Sequence, residues 1–466
     1  MGAPYPLNRV DDVLGDAIER AVRAHHRRRL SRIGHGTAYD PGPGGWAETG
    51  SFPVRAGCSV ELLVDGAEIL PRIVADVDAA SSHVHVSGWY FTPSFRMGDD
   101  GPTLRGLLAE AATRVPVRVL GWAGAPLPLF HPDRGEARAT RDELTRGTRI
   151  EMQLDARERP FHCHHEKLVI VDDRVAYVGG LDLTSFNGNR NDSSDHPPRI
   201  GIGWHDTCTR IEGPIVGDVA AHFALRWRGP LQSIGAPAAD GALDVQLVRT
   251  VPERVYAGLR RGEFTILESY RRALRAAERF VYLESQFLWS PELIEILSAK
   301  LRDPPRSDFR VVVLLPSNPN NGRDDTRGQL GVLVNAAKEG GDDARFLACT
   351  LFQPKGRPVY VHSKAAIVDD AWLTVGSANL NEHSLFNDTE VNVVVHEASF
   401  VRDARLRLWS EHLERDAAGD AVEVIDDLWR PYANAASPER KLRRLDGVSR
   451  RTQALWGPIN GLIVDG

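Results

Sequence analysis

The chain has 466 residues, of which 42% are apolar and 26% charged, with a formal net charge of −6 at pH 7 and a pI of about 6.3. This length predicts two domains that each bury a core. The acidic balance argues against a nucleic-acid binder that relies on a broad basic face. The four cysteines, at positions 58, 163, 208 and 349, form no CxxC pair, so neither a disulfide scaffold nor a zinc knuckle is expected.

Residues 1–57 are predicted to form an N-terminal helix followed by a linker rich in glycine and proline. Apolar residues recur at helical spacing between residues 10 and 30, with Val13 and Ala17 on the apolar face. The helix ends on three consecutive arginines, which would either contact an anionic membrane or lie solvated at the end of a docked helix. The docked helix is the favoured interpretation.

Targeting and membrane-spanning segments are not expected from the sequence. The first thirty residues contain no apolar core region typical of a signal peptide. No apolar run approaches the ~18–20 residues that cross a bilayer. The expected location is therefore the cytoplasm, with peripheral contact to a membrane.

Two regions, predicted as modules at 58–235 and 236–415, resemble each other at an offset of 197 residues, the distance from position 165 to position 362. An apolar strand predicted at 82–90 falls on another at 279–287, and a helical pattern precedes each strand. The chain is thus predicted to be a tandem duplication of one α/β module. We expect mixed sheets flanked by helices and a pseudo-twofold axis between the modules.

Each module carries the string His-x-Lys-x₄-Asp and then a glycine turn. The motif residues are His165, Lys167 and Asp172 in the first module and His362, Lys364 and Asp369 in the second. The chain has 16 histidines but only six lysines among its 57 basic residues. Chance would place a His-x-Lys triplet 16 × 6/466, or about 0.2, times in the chain, before the Asp is required. Composition alone therefore does not explain the doubled string.

Residues 165–171 and 362–368 are predicted as strands because they are apolar at alternate positions or throughout. Positions i and i+2 of a strand face the same side, so each His lies beside its Lys. The Asp falls seven residues after the His of its motif, at a turn into a second strand predicted at 175–178 or 372–375. We therefore assign Asp172 and Asp369 to structure, and the His/Lys pairs to chemistry.

Two His/Lys pairs predict one composite site for phosphodiester transfer at the module interface. A neutral imidazole would attack phosphorus, a protonated imidazole would protonate the leaving oxygen, and two ammonium groups would neutralise the phosphoryl oxygens. Histidine suits both tasks because its ordinary pKa is about 6.5. This chemistry needs no metal or other cofactor. The run His162-Cys163-His164-His165 raises the alternative of a metal site, but neighbouring strand residues face opposite ways and the sequence shows no partner cluster.

The doubled motif with its glycine turns resembles the phospholipase D superfamily. The segments Tyr282–Phe287 (YLESQF) and Trp204-His205-Asp206 are similar to the family's "YIENQF" and "WHD" strings. The resemblance covers roughly residues 58–415. Its flanking strings look more like phospholipase D proper than like the short one-motif nucleases that dimerise, so a monomer is expected.

The resemblance implies that His165 is the nucleophile and His362 the general acid, with both lysines and Asn379 binding the phosphate. It further implies that an acidic residue downstream of each motif holds its histidine, namely Asp206 for His165 and Glu390 for His362. Such a carboxylate fixes the imidazole tautomer and stabilises the imidazolium. Where many members carry Asn in the first turn, this chain has Asp182, whose carboxylate would repel a phosphate. An orientation away from the site would avoid the repulsion, and Asp182 is left out of the predicted site.

The leading functional hypothesis is a phospholipase D-like phosphodiesterase that cleaves phospholipid head-group esters to phosphatidic acid through a phosphohistidine. Its substrate would lie at a membrane or micelle surface, and water or an alcohol would accept the phosphatidyl group. A phosphatidyltransferase of the cardiolipin-synthase kind is an alternative, weakened by the lack of spanning helices. A nuclease is disfavoured by the acidic balance, so no nucleic-acid partner is expected. A binding module with a decayed site is disfavoured by the two intact His/Lys pairs.

The last predicted segment, residues 416–466, is a C-terminal tail with a basic stretch at 441–444. Two loops, at 185–203 and 317–328, are predicted to border the pocket and to influence specificity, because loops commonly carry binding residues.

Overall fold

The computed structural model describes residues 6–127, 130–159, 162–186, 203–233, 235, 237–317, 325–353, 356, 358–435 and 441–446.

Strands in the first half of the chain build one side of a large mixed sheet and one strand of a small sheet. These strands are β1 (Arg55–Val64), β2 (Val84–Gly88), β3 (Val117–Trp122), β4 (Glu151–Asp155), β5 (Leu168–Val171), β6 (Val175–Gly179), β7 (Gly203–His205) and β8 (Thr207–Glu212).

The second half contributes a corresponding set. These strands are β9 (Leu243–Val251), β10 (Glu263–Phe264), β11 (Phe280–Glu284), β12 (Arg310–Leu314), β13 (Phe346–Leu351), β14 (Val359–Val361), β15 (Ala365–Val368), β16 (Trp372–Gly376), β17 (Glu390–Val395) and β18 (Leu442–Arg444).

Helices lie before, between and after these strands. They are α1 (Pro6–Ile33), α2 (Gly36–Tyr39), α3 (Asp65–Asp78), α4 (Leu104–Ala111), α5 (Arg134–Thr145), α6 (Ile215–Arg226), α7 (Thr265–Ala276), α8 (Pro291–Arg302), α9 (Asp325–Glu339), α10 (Ala398–Leu413), α11 (Ala421–Val424) and α12 (Arg430–Asn434). Two π-helical turns, His383–Asn387 and Ile425–Trp429, and two 3₁₀ turns, Ala257–Leu259 and Asp343–Arg345, complete the described helical structure.

The large sheet is symmetric about its centre, where β1 pairs with β9. Outward from β1 the strand order is β8-β6-β5-β2-β3-β4, and outward from β9 it is β17-β16-β15-β11-β12-β13. Each strand in the first series therefore has a counterpart at the same place in the second, as duplication of one module requires. The predicted α/β fold with a mixed sheet flanked by helices is confirmed. We call β1–β8 with α3–α6 the first module and β9–β17 with α7–α10 the second.

Helices cover both faces of the sheet, which is why its central strands are apolar at every position rather than at alternate ones. In β12, for example, Val311 and Val313 pack with the α7–α9 side of the core, whereas Val312 and Leu314 pack with Trp409 on the opposite side. Full burial of each such side chain contributes roughly 1.5–3 kcal/mol. The two motif strands, β5 and β15, lie inside this sheet and are buried along their whole length.

The N-terminal helix docks on the second module, as the favoured interpretation predicted. The imidazole of His26 bonds to Glu292 at 2.8 Å and stacks on Phe386 with 3.9 Å between ring centroids. Two details of the prediction are wrong. Arg29 is buried, not solvated, because it pairs with Glu253 at 2.7 Å. Of the predicted apolar face, Val13 is 67% exposed and Ala17 is also exposed, whereas Leu30, nearer the end of the helix, is buried in the core.

The predicted C-terminal tail adds to the second module. α11, the π-helical turn that follows it and α12 pack beside the sheet through Val424, Ile425 and Tyr432, and β18 extends the sheet by pairing with β13. Much of the basic stretch predicted at 441–444 is therefore an edge strand. Among the described residues, no helix combines the length and the apolar character needed to cross a bilayer.

Candidate active site

The two modules exchange backbone hydrogen bonds on both sides of the predicted site. β7 of the first module pairs in parallel with β14 of the second, and beyond this pair the amide of His362 donates to the carbonyl of His205 at 2.8 Å. In the mirror contact, the amide of His165 donates to the carbonyl of Thr389 at 2.9 Å. The residue after each accepting carbonyl is acidic. Each exchange therefore brings a carboxylate of one module to the histidine of the other.

These exchanges also shorten the motif strands relative to the prediction. β5 begins at Leu168 and β15 at Ala365, three residues after each histidine. The histidine amides bond across the module interface instead of to the neighbouring strand. Both His-x-Lys segments thus enter their strands from the interface, where their side chains meet.

Each histidine is held by a carboxylate of the opposite module. Nδ1 of His362 lies 2.7 Å from Asp206 Oδ2, and Nδ1 of His165 lies 2.9 Å from Glu390 Oε1. The pairing implied by order along the chain, Asp206 with His165 and Glu390 with His362, is wrong, because the backbone exchange carries each acid across the interface. All four side chains are buried.

The two imidazoles are close enough to act on one group. Nitrogen atoms of His165 and His362 and a carboxylate oxygen of Asp182 all lie within 4.8 Å of one another. A single phosphorus atom between the rings would be reached from both sides. The structure thus brings together the two motifs that the sequence separates by 197 residues, from 165 to 362.

Asp182 faces the site, contrary to the orientation that would avoid repulsion. Its Oδ2 lies 3.2 Å from Nζ of Lys167, so the first turn places a carboxylate against the motif lysine. The counterpart in the second turn is Asn379, whose side-chain nitrogen donates to Gln286 Oε1 at 3.3 Å. Lysine pairing compensates the buried charge of Asp182 and explains how a carboxylate is tolerated there.

Both lysines are buried and oriented by their own motifs. Nζ of Lys167 donates to the carbonyl of His165 at 2.6 Å, and Nζ of Lys364 donates to the carbonyl of His362. Lys364 also lies 3.5 Å from Oε1 of Gln286. Burial lowers the pKa of Lys364 to about 8, with Lys167 acting in the same direction and Asp206 opposing it. Two ammonium groups in one buried site strongly favour the binding of an anion.

The carboxylates are shifted toward their protonated forms. Burial raises the pKa of Asp206 to about 6, although Lys364 and the amide of Thr207 oppose the shift. Burial likewise raises the pKa of Glu390 to about 8, against the effects of Lys167 and hydroxyl donors. These values lie near neutrality, which is where proton exchange with an imidazole is easiest.

The motif aspartates have backbone partners. Asp172 and Asp369 both adopt left-handed conformations, with φ of 56° and 55°. The Asp172 carboxylate accepts hydrogen bonds from the amides of residues 81–83, and the Asp369 carboxylate accepts from those of residues 278–280. Each aspartate therefore fastens its turn to the segment that leads into β2 or β11.

Several supporting residues were not predicted as part of the site. Ser377 and Ser384 donate to the two oxygens of Glu390, so that the carboxylate is held by two hydroxyls as well as by an imidazole. The rings of Trp204 and Tyr360 flank His362, with centroids 4.7 and 6.4 Å from its ring. Ser377 and Tyr360 lie beside the second motif, and Trp204 begins the Trp204-His205-Asp206 string, so their closeness in sequence to predicted site residues was the available signal.

A buried network of charged and hydrogen-bonded side chains holds the residue next to Asp206 in place. Its neighbour His205 bonds to Asp65 at 2.9 Å and to Glu284 at 3.2 Å, and Glu284 also bonds to His412 at 2.9 Å. Burial disfavours the charged form of His205, but the two carboxylates outweigh it and raise its pKa well above the ordinary value. The network fixes the segment that presents Asp206.

The two loops predicted to border the pocket, 185–203 and 317–328, lie mostly outside the described residues. Their predicted influence on specificity therefore stays a prediction.

Replacing Asp182 by asparagine should strengthen binding of a phosphate anion. The substitution removes a negative charge beside Lys167 and copies the residue present in the second turn. The inhibition constant of inorganic phosphate should fall on the order of tenfold, equivalent to about 1.4 kcal/mol. Asp142→Asn, at an exposed position, makes the same charge change and should leave the constant unaltered. Unchanged or weaker inhibition in Asp182→Asn would show that its carboxylate does not oppose the anion.

Comparison with known proteins finds one family model and several relatives that resemble this chain. A family model described as "Cardiolipin synthase, PLD-like domain" matches residues 270–410. Phospholipase D A of Dictyostelium discoideum is 25% identical over 468 residues, covering 78% of this chain and 36% of that protein. Cardiolipin synthase B of Escherichia coli is 26% identical over 394 residues, covering 80% and 84%. The matched region thus spans about a third of the first relative and most of the second.

A crystal structure of phosphatidylserine synthase from Haemophilus influenzae shares the fold. It superposes with a TM-score of 0.56 at 12% identity, covering 88% of this chain and 96% of that chain. The duplicated sheet, the two His-x-Lys-x₄-Asp motifs at one interface and these matches lead to one conclusion. These findings support the phospholipase D superfamily as the family that this chain resembles.

Proposed function

We propose that the protein is a phospholipase D-type phosphodiesterase that hydrolyses phospholipid head-group esters to phosphatidic acid and can also pass the phosphatidyl group to an alcohol. The observation that carries this proposal is the pair of imidazoles within 4.8 Å, each bonded to a carboxylate of the opposite module. Two buried ammonium groups beside them favour an anionic phosphodiester. The substrate would be met at a membrane or micelle surface.

In the proposed first step, Nε2 of His165 attacks phosphorus and forms an N–P bond while the bond from phosphorus to the head-group oxygen breaks. His362 gives its Nε2 proton to the leaving oxygen. Lys167 and Lys364 offset the charge on the phosphoryl oxygens throughout. In the second step, His362 takes a proton from water or an alcohol, the resulting oxygen nucleophile attacks phosphorus, and the N–P bond breaks.

The carboxylates prepare the two rings for these tasks. When Nδ1–H of His165 donates to Glu390, the lone pair of Nε2 is directed to the substrate. When Nδ1–H of His362 donates to Asp206, the same carboxylate stabilises the imidazolium that holds the acid proton. The proposal therefore gives each acid a role in the other module's chemistry.

The protonation of His362 is coupled to substrate. Burial lowers the pKa of His362 well below its ordinary value, with Lys364 and Lys167 adding to the effect. A phosphodiester brings a negative charge close to the ring and reverses part of this shift, because an adjacent anion favours the charged imidazole. Substrate binding would thus favour the protonated form of His362 that acts as the acid.

A phosphatidyltransferase of the cardiolipin-synthase kind is the second candidate, since the matches include cardiolipin synthase B as well as phospholipase D A. The same phosphohistidine serves both reactions, and only the acceptor differs. The decisive experiment presents vesicles of phosphatidylcholine, of phosphatidylglycerol and of cardiolipin beside single-stranded DNA, each with and without ethanol.

Phosphatidic acid from phosphatidylcholine, and phosphatidylethanol when ethanol is present, would support the proposal. Cardiolipin formed from phosphatidylglycerol, without hydrolysis, would favour the transferase. Degradation of DNA with lipid untouched would refute a lipid substrate. His165→Asn is the matched control, and the proposal expects no lipid turnover in that variant.

The value of kcat/KM should fall as pH rises above about 8. Burial lowers the pKa of Lys364 to about 8, so the free enzyme loses one of its two phosphate-binding charges above that pH. A tenfold loss per pH unit is expected once the lysine is neutral. Lys364→Arg, although slower because a guanidinium differs in shape, keeps its charge and should lose this alkaline limb. A wild-type profile that stays flat to pH 9.5 would contradict the assignment.

A further inference from the structure

A second cluster of potential ligands lies three residues before His165. Nδ1 of His162 lies 3.1 Å from Nδ1 of His383 and 3.4 Å from Oδ1 of Asp388. Nδ1 of His383 lies 3.9 Å from the other carboxylate oxygen of Asp388. His162 belongs to the first module, whereas the other two residues belong to the second, so the cluster spans the interface.

The local backbone explains why the second module offers two ligands together. His383 opens a π-helical turn, His383–Asn387, and Asp388 follows it. The amide of Asp388 donates to the carbonyl of His383 at 2.8 Å, which closes the turn and places both side chains on the same side. Extra residues in a helical turn of this type often occur at functional sites.

One atom of the cluster needs a partner. Oδ2 of Asp388 is fully buried and accepts no hydrogen bond from the part of the chain that the structure describes. Oδ1 accepts one, from the amide of Cys163 at 2.9 Å. A buried carboxylate oxygen without a donor is costly, and a cation would satisfy it.

The spacing fits a small four-coordinate ion. Tetrahedral zinc with ligands at 2.0–2.1 Å places neighbouring ligand atoms about 3.3 Å apart. The two imidazole nitrogens are 3.1 Å apart, and one oxygen of Asp388 lies 3.4 Å from His162 while the other lies 3.9 Å from His383. One carboxylate oxygen lies within 4.8 Å of both nitrogens, so a small shift of the side chains would bring all three ligand atoms to the zinc spacing. The side chain of His162 is 10% exposed, so a water molecule can complete the coordination from the solvent side.

We propose that His162, His383 and Asp388 form a zinc site that joins the two modules. Two imidazoles and one carboxylate are a ligand set that zinc prefers. Each neutral imidazole would bind through Nδ1 and keep its hydrogen on Nε2, so no proton needs to leave the rings. The nearby guanidinium of Arg159 is paired with Glu253 at 3.2 Å, which offsets its repulsion of a cation.

The site would stabilise the catalytic geometry without entering the chemistry. His162 precedes His165 by three residues, and Asp388 precedes Glu390 by two. A metal ion bound to both segments would hold the backbone exchange between His165 and Thr389 in place. The run that begins with His162 shows no partner cluster in the sequence, because the two proposed partner ligands lie more than two hundred residues away, at 383 and 388.

Zinc binding by the full chain tests the proposal. The protein is stripped with a chelator, dialysed and titrated with Zn²⁺, and bound zinc per chain and Tm are measured. One zinc per chain and a rise in Tm are expected for the wild type and for His165→Asn, which lacks a ligand of the alternative cluster at the active site. His162→Gln and His383→Gln should each lose zinc affinity, by at least on the order of a hundredfold.

A second measurement does not depend on variant folding. Co²⁺ added to the stripped wild type should produce the intense visible absorption of a four-coordinate site, and Zn²⁺ should displace it. Absence of stoichiometric zinc in the wild type would overturn the proposal. So would zinc that is retained by His383→Gln and lost by His165→Asn, because the ion would then lie at the active site.

Discussion

His165→Asn should abolish both hydrolysis and covalent labelling by the phosphatidyl group. In the proposed mechanism, Nε2 of His165 forms the bond to phosphorus, and asparagine has no comparable nucleophile. The side chain is buried and bonded to Glu390 at 2.9 Å, so a nearby group cannot easily replace it. Single-turnover assays with radiolabelled phosphatidylcholine, quenched at high pH to preserve phosphohistidine, measure both quantities.

His362→Asn is the matched variant, because it removes the other imidazole of the same site. Loss of the acid should slow cleavage of an ordinary ester by the ~10²–10⁴-fold typical of general acid–base catalysis, or more. A p-nitrophenyl phosphodiester has a leaving group that needs little protonation. With this substrate, His362→Asn should therefore regain part of the burst of p-nitrophenolate that the first step releases. None should return in His165→Asn. Rescue of His165→Asn, or a label found only at position 362, would reverse the two roles.

Glu284→Gln should lower stability by about 3–5 kcal/mol, the typical cost of breaking a buried ion pair from one side. The carboxylate is fully buried and bonds to His205, His412 and the hydroxyl of Tyr282. The substitution removes the negative charge and leaves an oxygen acceptor for only one of the two imidazoles, in the core of the interface. Thermal unfolding should show a fall in Tm of several degrees, and activity should fall at temperatures where the wild type is intact.

Glu339→Gln provides the control for this prediction, since Glu339 pairs with Arg302 on the exposed surface. An exposed pair of this kind contributes little, and a change within about 0.5 kcal/mol is expected. Equal effects of the two substitutions would show that the buried network around His205 does not stabilise the fold.

Much of the fold and the main residues of the candidate site could be predicted because they repeat. The offset of 197 residues relates Asp172 to Asp369 and Asp182 to Asn379, and both members of each pair occupy corresponding places in the structure. Repetition reports equivalent positions within a module. It does not report which module a side chain contacts.

The errors follow from that limit. Asp206 was assigned to His165 because it follows it along the chain, whereas β7 crosses to β14 and carries Asp206 to His362. Asp182 was left out because its charge opposes a phosphate, and the compensating contact with Lys167 is visible only in three dimensions. Periodicity likewise could not show that Arg29 is buried by contacts with the second module.

The central claim is that each catalytic histidine depends on the opposite module's carboxylate, and Asp206→Asn tests it most directly. The burst of p-nitrophenolate and the turnover of phosphatidylcholine are measured in Asp206→Asn and in Glu390→Gln. If Asp206 serves His362, Asp206→Asn should behave like His362→Asn, with phosphatidylcholine turnover lost and part of the p-nitrophenolate burst retained. Glu390→Gln should behave like His165→Asn and lose both. An Asp206→Asn variant that loses the burst, beside a Glu390→Gln variant that keeps it, would contradict the cross-module pairing.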